Sequence, residues 1–371
     1  MKIVDCKLAH YSVSLKMTFK TALHAQNFAN GWIVRLKSEM GNYGYGEAIP
    51  SLRVTGDSDA SIFGSLKEII FPAIIGKNFE NIGKFDDFVS KLITQNSAAR
   101  NAVSEGTLDL FIKDKGTNLE SFFNLGKGKK VETDYTLSIN NELNMLNEAK
   151  KLSKKGFSTL KIKLGDDLIE KEVQKLVYLN NHLENISFRI DANQAWNLRG
   201  SLRFDQLAFE NGLPIETIEQ PLPIGFEDEY SYLIGKFHFP IILDESVHEF
   251  NDARKLNPGV DFNGYNVKLE KSGGISQAKA LLDYSESLDK NTMIGCMIES
   301  NIGIAFAAAL AKAYPIVKFI DLDSPLMFTD EIFKGWLNDE QTGFSFNSQF
   351  VPLSLINKSK VPSLTAFLAA E

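Results

Sequence analysis

Lys161 and Lys163 stand two residues apart in the run TLKIKLG at 159–165. In a strand their side chains share one face, and Leu160, Ile162 and Leu164 line the other. Further along, single acids close apolar runs: Asp191 in SFRIDANQ, Glu219 in IETIEQP and Asp244 in PIILDES. Lys268 follows GYNV, and Asp321 and Asp323 follow VKFI. Each has a plain structural reading. An Asp after a strand caps the next helix, and a KIK face is a solvated one. Together they suggest chemistry. Three carboxylates converging without a cation would repel one another. Oxygen-only ligands suit a hard cation, and Mg²⁺ is the natural choice. A lysine on each side could then remove a proton from one face of a carbon and return it on the other.

That arrangement needs a scaffold bringing strand ends together. From about residue 130, short strand-like runs alternate with helical stretches: 133–139, 159–163, 187–191, 215–219, 240–244, 263–267, 292–296 and 317–321. The residues that end them, from Lys163 onward, recur at steps of 28, 28, 25, 24, 28 and 25. This βα period predicts an α/β fold, a parallel sheet closed as a TIM-like barrel whose site lies at the strands' C-terminal ends. Lys163 and Lys268, on the second and sixth strands, then face each other across it. Before the barrel, residues 1–50 alternate like strands, with Gly41, Gly44 and Gly46 suiting a hairpin. Residues 60–125 read as helices, including SAARNAVSEGTLDLFIKDKG with Gly116 as its stop. The expected division is an α+β domain over 1–125, a barrel over 126–330, and a segment over 331–371 folding back on the first domain.

Composition bounds the rest. At 371 residues, 44% hydrophobic and 23% charged, the chain is an ordinary globular protein. A net charge of −7 argues against nucleic acid as a partner. Cys6 and Cys296 form no CxxC spacing, which fits a reducing compartment. No apolar leader or run of 18 apolar residues is present, so the expectation is a cytoplasmic protein that does not meet a membrane.

In this order and spacing, GYGEA, NAVSEGTLDLFIKDKG, KIK, DANQAW, EQP, DES and VKLEKSGG resemble the enolase superfamily, in the branch of muconate-lactonizing enzymes and dipeptide epimerases. The resemblance spans nearly the whole chain. It implies a (β/α)7β barrel with an N-terminal α+β capping domain, and a homo-oligomer. It gives one Mg²⁺ to Asp191, Glu219 and Asp244, and acid/base roles to Lys163 and Lys268. Lys161 holds the substrate carboxylate and helps keep Lys163 neutral. The DxD pair Asp321 and Asp323 matches the pair with which dipeptide epimerases bind an α-ammonium group, and a buried ammonium needs such a partner. Thr136, Cys296, Met297 and Ile298 are further candidate substrate contacts.

The expected reaction is therefore epimerisation at the α-carbon of a dipeptide's C-terminal residue. The cap loops 18–25 and 50–57 set side-chain preference in this superfamily. His24 stands where epimerases acting on Ala-Glu carry arginine. With Phe19, Leu23, Met297 and Ile298, it points to a small residue followed by a hydrophobic one. The rivals are a cycloisomerase, an o-succinylbenzoate synthase or an N-acylamino-acid racemase. From other classes they are a Schiff-base aldolase using Lys163 or Lys268, and a non-catalytic binding protein.

Overall fold

The computed structural model describes residues 1–22, 24–126, 130–256, 260, 262–330, 332–351 and 367. Leu23 therefore lies outside the described residues, as does most of the segment beyond 351.

Three strands, β1 (Ile3–Lys20), β2 (Ala25–Ser38) and β3 (Tyr43–Ala48), form an antiparallel sheet in the order β1-β2-β3. The helix Ser97–Asp114 packs on it and is buried almost all round. Its sequence is not amphipathic because it has cover on every side. One glycine of the expected hairpin trio is in the turn: Gly41 has φ +91°. Gly44 and Gly46 lie inside β3 for a different reason. A Cβ on Gly46 would sit 1.9 Å from the carbonyl oxygen of Ala102, and one on Gly44 would sit 2.1 Å from that of Gly106. Glycine here lets a strand and a helix touch backbone to backbone.

A short strand, β4 (Lys130–Glu132), precedes the barrel. The barrel strands are β5 (Tyr135–Leu137), β6 (Thr159–Lys163), β7 (Ser187–Asp191), β8 (Ile215–Glu219), β9 (Ile241–Leu243), β10 (Gly264–Val267), β11 (Asn291–Gly295) and β12 (Val317–Asp321). They form one eight-stranded parallel sheet in sequence order. The two ends meet where Asp134 N–H donates to Ile320 O at 3.2 Å. Helices cross over after each of the first seven strands, and a 3-10 turn, Ser324–Met327, follows the eighth. The expected runs and the observed strands differ by at most two residues at either end.

Register places the chemistry in one layer. Lys163 pairs with Asp191, Asp191 with Glu219, and Glu219 with Ile242, so residues at the same height carry the charges. Side-chain alternation turns Lys161 and Lys163 into the barrel. Leu160, Ile162 and Leu164 turn outward into an apolar cluster under the helices. After the barrel, β13 (Gly335–Glu340) and β14 (Gly343–Val351) join β4 in a third sheet. Phe350 stacks on Tyr45 of β3 at 5.7 Å, and Trp336 Nε1 donates to Asp109 Oδ1 of the buried helix at 2.8 Å. No helix among the described residues is long and apolar enough to cross a membrane.

The Gly46 contact yields a stability test. Gly46→Ala forces strand and helix apart and lowers stability by about 1–3 kcal/mol, read as a lower urea midpoint. Gly64, whose Cβ position meets nothing within 4 Å, tolerates alanine without that loss.

Candidate active site

A cavity of about 440 Å³ opens at the C-terminal ends of the barrel strands, under the cap. Lys161, Lys163, Asp244, Lys268, Asp321 and Asp323 line its floor. Phe19 and His24 from the cap, Thr136 from β5, and Cys296, Met297 and Ile298 after β11 line its walls. Asp191 and Glu219 do not reach the wall. They lie beneath it, fully buried, with the Lys161 ammonium against them.

Lys161 is the hub of this floor. Its Nζ lies 2.6 Å from Asp321 Oδ2, 2.7 Å from Glu219 Oε2 and 3.2 Å from Asp191 Oδ2. Burial alone would lower its pKa. Asp321, Glu219 and Asp191 more than offset that and hold it well above the usual lysine range. Lys163 bonds Asp191 Oδ2. Across the barrel, Lys268 Nζ donates to Asp244 Oδ2 at 2.7 Å, while Lys271 lies 2.6 Å from Asp244 Oδ1. Burial opposes the charge on Lys268, but Asp244 and Glu219 raise its pKa overall.

The carboxylates respond in opposite directions. Burial raises all of them, and the lysines decide which are pulled back. Lys163 and Lys161 bring Asp191 down to about 2, and Lys268 and Lys271 hold Asp244 well below its usual value. Glu219 is pushed up to about 7 by burial and by Asp191. Glu245, beside Asp244, is pushed up to about 8 by burial, Asp244 and Asp191. Charge counting explains this. Asp134, Asp191, Glu219, Asp244, Glu245, Asp321 and Asp323 are seven buried carboxylates. Lys161, Lys163, Arg189, Lys268 and Lys271 are five buried cations. With every group ionised this set would carry two negative charges in excess, and the raised Glu219 and Glu245 reflect that. Glu219 Oε2 and Asp244 Oδ1 meet only lysine ammonium groups, and Glu245 Oε2 makes no hydrogen bond among the described residues. An all-carboxylate donor set with this excess fits a hard divalent cation.

The structure adds residues that sequence reasoning missed. Asn266 donates to Glu219 Oε1 at 2.8 Å. It lies two residues before Lys268, and that parity was the available signal. Lys271 donates to the carbonyls of Asp244, Val247 and Asn266 at 2.6, 2.8 and 2.9 Å, so it fixes the loop that carries Asp244. Arg53 lines the cavity from the second cap loop. His24 is exposed at the cavity mouth. Burial lowers its pKa, and Arg53 and Lys163 add to that despite a hydrogen bond with Gln26.

Comparison with known proteins agrees with this layout. Residues 3–123 match the N-terminal domain of the mandelate racemase/muconate lactonizing enzyme family, and residues 144–348 match the enolase C-terminal domain-like family. The chain is 32% identical to the L-Ala-D/L-Glu epimerase of Bacillus subtilis, over 90% of this chain and 92% of that one. It is also 32% identical to a hydrophobic dipeptide epimerase of Enterococcus faecalis, over 87% and 91%. The substrate-liganded Bacillus subtilis epimerase superposes with a TM-score of 0.89, at 31% identity, covering 96% of this chain and 99% of that one. The Enterococcus faecalis dipeptide epimerase complexed with Mg and L-Leu-L-Tyr superposes with a TM-score of 0.87, at 30% identity, covering 95% and 99%. The two halves of the fold and these relatives place the chain in the enolase superfamily, as a member of the mandelate racemase/muconate lactonizing enzyme family.

Proposed function

We propose that the protein is a Mg²⁺-dependent dipeptide epimerase that moves a proton at the α-carbon of the C-terminal residue. The observation that carries this reading is the pair Lys163 and Lys268. They stand on the second and sixth strands, on either side of buried carboxylates, with the Asp321–Asp323 pair in the same cavity. Asp191, Glu219 and Asp244 would hold the metal. Bound there, Mg²⁺ would stabilise the negative charge that builds up on the substrate carboxylate as the α-proton leaves.

The remaining work falls to the chain's own groups. One lysine must be neutral to take the proton, and the other must be protonated to give one back on the opposite face. Asp244 holds Lys268 protonated, which suits it as the donor when Lys163 is the base. Lys161 helps to hold the substrate carboxylate, and its charge stays fixed. Asp321 and Asp323 receive the α-ammonium, a charge-assisted contact that a muconate-type substrate lacks. Thr136, Cys296, Met297 and Ile298 contact the peptide.

For the epimerised side chain we favour a hydrophobic residue after a small one. Phe19, Met297, Ile298 and Met327 give the wall apolar surface, and His24 is held neutral. Arg53 is exposed at the rim, and it is the residue an acidic side chain would use instead. Both cysteines are free thiols, in keeping with a cytoplasmic protein, and the family supports a homo-oligomer.

A dipeptide library incubated in D₂O with Mg²⁺ and read by mass spectrometry tests the activity. One deuterium enters the α-position of the C-terminal residue, and EDTA stops it. Exchange of Ala-Glu far ahead of apolar dipeptides would overturn the side-chain preference alone. Metal-independent turnover, with borohydride trapping on Lys163 or Lys268, would instead mark a Schiff-base enzyme. Lys163→Ala and Lys268→Ala each lower turnover by about 10²–10⁴-fold with circular dichroism unchanged. Asp323→Ala raises the KM for free dipeptides by about tenfold or more. Unchanged kinetics there would favour a cycloisomerase or an N-acylamino-acid racemase.

A further inference from the structure

Asp134 lies just before β5, two residues from Thr136, and is fully buried against β12. Its N–H donates to Ile320 O at 3.2 Å, and Leu322 N–H donates to the adjacent Thr133 Oγ1 at 2.8 Å. The chain is thus stitched to β12 on both sides of Asp321. Carboxylate oxygens of Asp134, Asp321 and Asp323 all lie within 4.8 Å of one another.

Positive charge around this trio is short. Arg189 Nη1 donates to Asp134 Oδ2 at 2.9 Å, but Arg189 also bonds Glu216. Lys161 holds Asp321 but is shared with Glu219 and Asp191. Asp323 Oδ2 accepts the backbone N–H of Thr136 at 2.6 Å, and the Thr136 side chain also bonds Asp323, so its described hydrogen-bond donors are neutral. Asp134 Oδ1 is buried and makes no hydrogen bond among the described residues. Asp321 and Asp323 line the cavity, and Asp134 stands behind them.

We propose that Asp134 is a positioning residue of the ammonium subsite: it leaves the Asp321–Asp323 pair short of positive charge, so that only a cationic α-amino group completes the site. This rests on the dipeptide reading above. The physical basis is competition between a proton and an ammonium ion. Burial and Asp321 push Asp323 up to about 7. Burial, Asp321 and Asp323 push Asp134 well up against the pull of Arg189. The trio therefore binds a proton near neutrality, and an arriving ammonium ion displaces it to solvent. Charge is conserved, and no covalent bond to carbon changes. A neutral N-acyl group cannot make this exchange.

The other groups facing the trio are Lys161 from β6, Arg189 from β7, Tyr135 from β5 and Cys296 after β11, with Lys163 and Lys268 acting on Asp321. Burial raises both Tyr135 and Cys296, so neither titrates near pH 7. The sign follows. As pH falls through about 7, the proton wins on Asp323 and KM rises. The three acids titrate as one coupled set, so with Asp134→Asn one acid fewer repels the ionised form of Asp323, and this acid limb moves to lower pH.

The experiment compares wild type and Asp134→Asn, which keeps an oxygen for Arg189. It follows α-deuterium exchange across pH and inhibition by an N-acetylated dipeptide. Above the acid limb, KM for the free dipeptide rises about tenfold in the variant while kcat stays within about threefold. The acid limb moves down by about one pH unit, and the Ki of the N-acetyl compound does not rise. An unmoved limb, or equal losses on both ligands, overturns the proposal. So does a second Mg²⁺ per chain that Asp134→Asn abolishes. Should the variant not fold, wild type alone decides. A dipeptide with an α-methylated C-terminal residue is titrated calorimetrically at pH 7 in phosphate and in Tris. The buffer difference reports a net release of about half a proton per site or more, and none released overturns the proposal. A wild type that exchanges no dipeptide proton at all refutes the epimerase reading instead.

Discussion

Charge buried without a partner is the constraint on which this barrel depends. An isolated carboxylate taken from water costs several kcal/mol or more, so it is neutralised, paired or bound to a metal. In and beneath the floor of the cavity the protein buries these seven carboxylates and five cations. Lys161 contacts three of the acids, from three different strands, and is 1% exposed. Paired lysines two residues apart looked costly in isolation. In the folded chain the two lysines share Asp191, and Lys161 also meets Asp321 and Glu219. Repulsion between the lysines is outweighed by the acids around them.

The same constraint reaches into the cap. Glu47 of β3 is fully buried, and it accepts from Ser300 N–H, Ser300 Oγ at 2.8 Å and Gly303 N–H at the start of the helix Asn301–Ala313. Ile49 N–H donates to Glu270 Oε1, two residues from Lys268. These bonds tie the strand that leads into the second cap loop to the barrel loops that follow β10 and β11. Gly44 and Gly46 make the tie possible by letting β3 sit directly on the buried helix. The position of Arg53 over the cavity is thus set by a backbone contact made elsewhere in the cap.

Much of this was legible in the sequence because the barrel repeats. A βα period near 26 residues, with a charged residue closing each run, places strand ends without reference to tertiary structure. β6, β7, β8 and β12 fall on the expected residues for that reason. The glycines of β3 were misplaced because a packing glycine and a turn glycine look alike in sequence. Asp134, Asn266 and Lys271 were missed for a related reason. Each acts on a side chain or carbonyl distant in sequence, and only strand parity hinted at Asp134 and Asn266. Glu245 was hidden beside Asp244, since alternation sends neighbours to opposite faces in a strand. The chain has left β9 by that point, and both side chains line the cavity.

The lysines show why a shared charge layer suits proton transfer. A single lysine of ordinary pKa, near ~10.4, is a poor base at neutral pH because it is already protonated. A lysine held by carboxylates is poorer still, since Asp244 and Glu219 strengthen the hold on the proton of Lys268. Yet the oxygens that hold the lysines belong to the same acids that carry the excess negative charge. Whatever cation those oxygens bind, less charge is left to hold Lys163 and Lys268. The ion pairs around the lysines therefore act as a reserve: they keep both ammonium groups buried and placed, and they weaken when the acids are neutralised from another side. A barrel with fewer carboxylates would bury less charge, but it would have no such means of tuning its lysines.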